Sequence, residues 1–201
     1  MTNKNFNLII SGVGGQGLIT LLKIITESAL IDGHDVKSSE LHGLSQRGGS
    51  VLAHIRFGAK IYSPMVSEGK ADLIMSLELL EGLRYLGFGN KETNVLINRY
   101  SLPVLGGLKE EEILKSLSRL QGNRGSTTSS GPDKNLYLVE ASKICKEKLQ
   151  KEVISALYLL GYAVYKKLIP LKEESVLKAI EKLIPEKYLE LNKKAFKLAK
   201  A

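Results

Sequence analysis

The chain has 201 residues, 43% hydrophobic, 25% charged and only 6% aromatic, with 29 Lys and Arg against 21 Asp and Glu for a net charge of +8. That length and apolar fraction describe one folded domain, with an appendage at most, and exclude global disorder. The single cysteine excludes an internal disulfide framework and any iron–sulfur cluster held by cysteines of this chain alone.

Residues Met1 to Phe6 lead straight into an apolar run without a basic leader or a small-residue cleavage site, so no secretory signal is read there. Phe6 to Ile10 reads as a buried strand ended by Ser11 and Gly12. Apolar residues at 18, 21, 22, 25 and 29 have a helical period, and Gly33 ends that helix. Val36 to Leu41 is the second predicted strand. Ser50 to Phe57 alternates, with Val51, Ala53, Ile55 and Phe57 on one face. Gly58-Ala59-Lys60 is expected to turn it into Ile61-Tyr62 as a β-hairpin closed by Pro64. A strand at 72–77, a helix at 79–86 and a strand at 93–98 follow. A helix over 110–120 precedes the last strand, Leu136 to Val139. Helices are then expected at about 140–149, 152–168, 173–184 and 186–199, punctuated by Pro170 and Pro185.

Strands alternating with helices define an α/β fold. The expectation is three layers, with a mainly parallel sheet, an antiparallel hairpin and an all-helical C-terminal extension. Residues 1–140 would form the body and 141–201 an extension of the same domain. Residues 121–135 (QGNRGSTTSSGPDKN) carry no large apolar side chain and read as a flexible loop, with a simple linker preferred over a lid. The longest uncharged run, Val153 to Tyr165, is about 13 residues against the ~20 needed to cross a bilayer. A buried helix, no membrane and a cytoplasmic location are expected.

The charge is uneven. From Lys143 onward there are 14 Lys, no Arg and 7 Glu, so the tail holds nearly all of the excess. These lysines alternate with Glu on the polar faces of periodic helices, and Arg, the residue suited to bidentate phosphate contacts, is missing. A solvated surface or a dock for an acidic protein is the reading preferred over nucleic-acid binding.

Two clusters carry candidate chemistry. Gly12-Val13-Gly14-Gly15-Gln16-Gly17 lies between the first strand and first helix, where backbone amides and a helix N-terminus make an anion site. Gly12, Gly14 and Gly17 fit G-x-G-x-x-G, and Leu18 stands where a P-loop would have lysine. A dinucleotide site also needs an acid at the end of the second strand. Asp32 has the spacing but precedes that strand, and Glu40 has the place but not the spacing, so the match is partial. The competing reading is a turn that packs helix on sheet. The second cluster, Ser45-Gln46-Arg47-Gly48-Gly49, follows the second strand, and Arg47 beside glycine amides suits a phosphate or carboxylate. Its competitor is a loop in which Arg47 pairs with Glu40. His42 has no nucleophile beside it, His54 reads as a core histidine, and no metal set or catalytic residue is assigned. Asn192, a polar residue on the apolar stripe of the last helix, needs a hydrogen-bond partner.

GVGGQG, ELHGLSQRGGSVLAHIRFG, IYSPMVSEGKADLIMSLELLEGLRYL and VLINRYSLP resemble the β subunits of indolepyruvate:ferredoxin oxidoreductases, which are similar to the γ subunits or domains of 2-oxoacid:ferredoxin oxidoreductases. The resemblance runs from about residue 8 to 104 and returns near Asn192 to Phe196. HG-x-SQRGGSV favours the arylpyruvate branch over the pyruvate and 2-oxoglutarate branches, with the γ subunit of another 2-oxoacid:ferredoxin oxidoreductase (pyruvate, 2-oxoglutarate or branched-chain) as the alternative. The resemblance implies a subunit of an enzyme that oxidatively decarboxylates indolepyruvate to an acyl-coenzyme A and reduces ferredoxin. Thiamine diphosphate and iron–sulfur clusters would belong to a larger α subunit, and the isolated chain would be inactive. Gly12, Gly14, Gly15, Gln16 and Gly17 with Ser45, Gln46, Arg47, Gly48 and Gly49 would form one anion-binding edge, with coenzyme A as its expected ligand. Subunit-interface scaffolding is the alternative for both loops. A free-standing dinucleotide module is the alternative of another class.

Overall fold

The computed structural model describes residues 5–43, 48–102, 107–122 and 135–200. Six strands form one sheet: β1 (Phe6–Val13), β2 (Asp35–His42), β3 (Ser50–Gly58), β4 (Leu73–Ser76), β5 (Asn94–Asn98) and β6 (Leu136–Val139), in the order β2-β3-β1-β4-β5-β6. The β1, β4, β5 and β6 strands are parallel neighbours, whereas β3 is antiparallel to both β1 and β2. The sheet is therefore mixed. The carboxyl ends of β1, β2, β4, β5 and β6 all reach one edge, together with the start of β3.

The antiparallel element is real, but its partner differs from the sequence expectation. Ser50–Gly58 pairs with β2 and not with Ile61-Tyr62. Both edges of β3 are occupied, by β1 and β2, so no ladder remains for residues 61–62. Ile61 is held instead by donating its amide to Asp35 Oδ2 at 2.7 Å, with its side chain buried.

Alternation along the strands divides the core. Leu8 and Ile10 of β1, Val51, Ala53, Ile55 and Phe57 of β3, and Leu73 and Met75 of β4 face one layer; Ile9, Leu52, Ile74, Val95 and Ile97 face the other. The second face is covered by α2 (Leu79–Arg84) and α3 (Glu110–Gly122). The first is covered by α1 (Leu18–Ile31) and by helices after the sheet: α4 (Ala141–Leu149), α5 (Ser155–Tyr165), α6 (Glu173–Leu183) and α7 (Glu186–Leu198). Leu157, Leu160, Ile180 and Phe196 join the same core as β1 and α1, so the helical tail completes the body's hydrophobic layer. The uncharged run is buried on nearly every face of α5. No helix among the described residues is long and apolar enough to cross a membrane.

The tail is also clipped to the body by a polar contact. Asp32 Oδ2 accepts the Lys172 amide at 3.1 Å, and Asp32 Oδ1 accepts the Ser175 hydroxyl at 2.7 Å. Asp32 thereby caps α6 from 140 residues away in sequence. At the end of α3, residues 123–134 of the expected loop lie outside the described residues; Gln121 and Gly122 belong to the helix.

Candidate functional site

The glycine turn stands where β1 gives way to α1, at the carboxyl edge of the sheet. Gly12 still belongs to β1, and a Cβ there would come within 2.9 Å of Gln16 Oε1 and 3.1 Å of Leu77 Cβ. Gly15 and Gly17 have φ of 104° and 83°, the left-handed region that costs other residues energy. Gly17 is the cap of α1, so the first-turn amides of a 14-residue helix open onto this corner without intrahelical acceptors.

Gln16 closes the turn from inside. Its Oε1 accepts the Val13 amide at 2.8 Å and its Nε2 donates to the Leu77 carbonyl at 3.4 Å. Its carboxamide thus ties β1 to the end of β4.

The two candidate loops meet. The Gly14 amide donates to the Gly49 carbonyl at 2.9 Å, and the Gly48 amide donates to the Gly14 carbonyl at 3.4 Å. Ser45, Gln46 and Arg47 lie outside the described residues, but Gly43 and Gly48 on either side of them are placed. A cleft of about 650 Å3 is lined by Val13, Gly14, Gly15, Gly17, Leu18, Thr20, His42 and Gly43, among others. The turn and the end of β2 therefore share one concave surface. His42 Nε2 is 3.3 Å from Glu40 Oε1, and both are exposed.

The dinucleotide acid is not supplied. Asp32 is engaged as the cap of α6, and Glu40 sits on exposed β2 beside His42. His54 is buried, as expected of a core histidine. Its Nδ1 accepts the Val66 amide at 3.2 Å, its Nε2 has no partner, and burial pushes its pKa down.

Beneath the edge lies a polar cluster that sequence reasoning missed. Glu78 caps α2 with its carboxylate, accepting the amides of Glu81 at 2.8 Å and Leu102 at 3.4 Å. Burial pushes its pKa up. Glu81, also buried, accepts the Ser50 hydroxyl and lies 3.2 Å from Arg84 Nε; the Tyr85 hydroxyl is 3.0 Å from the same Ser50 oxygen. Ser11 and Ser76 share a 2.9 Å hydrogen bond between β1 and β4, and Asn98 Nδ2 donates to Leu77 O and Ser142 Oγ. The signal was two acids set in the Leu-rich run LELLEGLR. Their effect is to lock the ends of β1, β3, β4 and β5 under the glycine loops. A second cleft, about 240 Å3, joins Gly15 and Gln16 to Tyr100, Ser142, Glu152 and Ser155. Burial first, and then Glu152, raise the Tyr100 pKa.

Among the described residues no group of three or more His, Cys, Asp and Glu is arranged to hold a metal. Cys145 is buried, and burial pushes its thiol up to about 11. A single buried thiol does not fit a cysteine-ligated cluster.

The molecule is an α/β body with a glycine cleft at the carboxyl edge of its sheet and a helical tail. The family model of pyruvate ferredoxin/flavodoxin oxidoreductase matches residues 7–201, and the chain belongs to that family. It is 34% identical to an indolepyruvate oxidoreductase subunit IorB of Pyrococcus horikoshii, over 97% of this chain and 94% of the relative. It is 36% identical to the same subunit of Archaeoglobus fulgidus, over 96% and 92%. The fold is shared with a 2-oxoglutarate:ferredoxin oxidoreductase of Magnetococcus marinus, solved with 2-oxoglutarate, coenzyme A and succinyl-CoA bound. That likeness has a TM-score of 0.70 at 15% identity and spans 98% of this chain and 30% of the other.

Proposed function

We propose that this chain is the smaller subunit of an indolepyruvate:ferredoxin oxidoreductase, which converts an arylpyruvate, coenzyme A and oxidised ferredoxin to an aryl-acetyl thioester, carbon dioxide and reduced ferredoxin. The full-length similarity to IorB subunits at 34–36% identity carries this reading. Thiamine diphosphate and iron–sulfur clusters belong on the larger subunit. They supply the carbanion and electron-transfer chemistry there, and the buried single thiol of this chain suits a division of that kind.

The chain's own part is to bind and orient. The amides of Gly15 and Gly17, the start of α1 and Arg47 form the anion-binding edge, and the phosphates of coenzyme A are its ligand. The Gly14–Gly48–Gly49 hydrogen bonds support treating the two loops as one unit. Such an edge fixes a thioester acceptor by position and needs no proton transfer from this chain.

The test is co-expression with the large thiamine- and cluster-binding chain, followed by coenzyme A-dependent dye reduction. Indolepyruvate should support turnover, and the isolated chain should not. Activity with pyruvate and none with indolepyruvate overturns the substrate assignment. Arg47→Ala should raise the KM for coenzyme A with assembly intact; an unchanged KM and affinity overturns the anion-edge assignment.

A further inference from the structure

Gly161 of α5 faces α7 so closely that a Cβ there would stand 2.2 Å from the Phe196 carbonyl oxygen. The two helices touch at that end and part toward their N-termini. Between them opens a groove of about 470 Å3 lined by Val153, Ile154, Leu157, Pro185, Tyr188 and Leu191, with Asn192 and Lys151 at its margin. Its floor is apolar, yet Val153 is 61% and Tyr188 50% exposed. Asn192, whose need for a partner the sequence indicated, donates to the Tyr188 carbonyl in its own helix at 2.8 Å, which holds the lip of the groove in helical form.

Both signs of charge occur near this groove, but several of its lysines have no ion-pair partner among the described residues. Lys187 Nζ lies over the Tyr188 ring at 4.6 Å. Lys194 is exposed and follows Leu191 by three residues on α7, the spacing of neighbours on a helix surface. Neither Lys151, Lys187 nor Lys194 makes an ion pair with a described residue, in contrast to Lys182, which is 2.8 Å from Glu27, and Lys193, 2.7 Å from Glu181. Of the nearby acids, Glu190 lies 3.6 Å from Lys193, and Glu152 lines the neighbouring cleft with Tyr100. Glu186 in the first turn of α7 is the remaining one. Lys151 on the groove, with Lys187 and Lys194 on the helix that carries Tyr188 and Leu191, suits an acidic segment with one or two large apolar side chains.

We propose that this groove between α5 and α7 seats such an acidic, apolar-anchored segment of the larger partner subunit. The inference rests on the subunit reading above. It also gives the interface a place relative to the ligand, because Gly17 lines both this groove and the cleft over the glycine turn. A segment docked there borders the anion-binding edge, and assembly and ligand binding become neighbours.

The experiment measures binding of the full-length chain to the co-expressed large subunit. Lys151→Glu, Lys187→Glu and Lys194→Glu combined should weaken binding by about tenfold or more at roughly 0.15 M salt, with the gap narrowing as salt rises. Tyr188→Asp should weaken it by a similar factor with less dependence on salt. All four residues are exposed, so circular dichroism should match the parent. The control Lys167→Glu with Lys178→Glu, also on the tail but outside the groove, should bind like the parent. Parental binding by the groove variants overturns the inference and leaves the subunit reading standing. Equal weakening by the control pair also overturns it, by making the general field of the tail responsible. Failure of the parent chain to bind the large subunit overturns both.

Discussion

Asp32→Ala tests whether this acid is a clip for the tail or a ligand-binding residue. Lys172, at the N-cap of α6, makes no side-chain capping bond of its own. Asp32 takes over that role, accepting the Lys172 amide at 3.1 Å and the Ser175 hydroxyl at 2.7 Å, with Lys172 Nζ at 3.6 Å. Its side chain is only 4% exposed, so water does not replace these bonds freely when the carboxylate is removed. A lost cap costs about 1 kcal/mol and a hydrogen bond to a charged group about 1.5–3; the two overlap here, giving about 2–3 kcal/mol for Asp32→Ala. For a chain of this size that is a fall in Tm of roughly 4–12 °C. Asp32→Asn, which retains an acceptor oxygen, should lose less. Urea unfolding of the full-length chain measures the difference, with the midpoint shifted and the slope kept. A loss below about 0.5 kcal/mol, the scale of an ordinary surface change, would refute the capping argument.

Gly17→Ala puts a Cβ into open space, with the Val153 carbonyl 3.8 Å away, so its cost is the left-handed backbone alone, about 1–2 kcal/mol. Thermal unfolding should register that loss, and coenzyme A affinity of the assembled enzyme should fall with it. Cys145, buried and with its thiol pushed up to about 11, should resist a thiol reagent at pH 8 and react once the chain is unfolded. Prompt labelling of the native protein contradicts its burial. Glu78 binds its proton more tightly folded than unfolded, so its contribution to stability falls as pH rises from about 4.5 through its raised folded value. Glu78→Gln should flatten the dependence of Tm on pH in that window, and an unchanged slope argues against a buried, disfavoured carboxylate.

The glycine turn, the strand and helix flanking it and the strand at Leu136–Val139 are legible because each depends on local rules: backbone freedom at Gly15 and Gly17, an apolar period, a short apolar run between breakers. The pairing of Ser50–Gly58 was not, since strand partners depend on which edges are already filled. Glu78 and Glu81 escaped notice because an acid in a leucine-rich run carries no local sign of the amides and hydroxyls that will meet it. The spacing of Asp32 from Gly12 suits a dinucleotide acid, and only packing of α6 beside α1 gives it another task.

By itself the sequence determined the fold class, the amide-rich turn at the end of β1, the lack of cysteines for a cluster, and a lysine-rich helical tail. The tertiary structure decided that the tail completes the main core, that Gly14 is hydrogen-bonded to Gly48 and Gly49, and that three clefts converge on the turn. Propensity and periodicity act over a few residues along the chain. Those decisions depend on contacts between segments tens of residues apart, which exist only once the sheet has set its strand order.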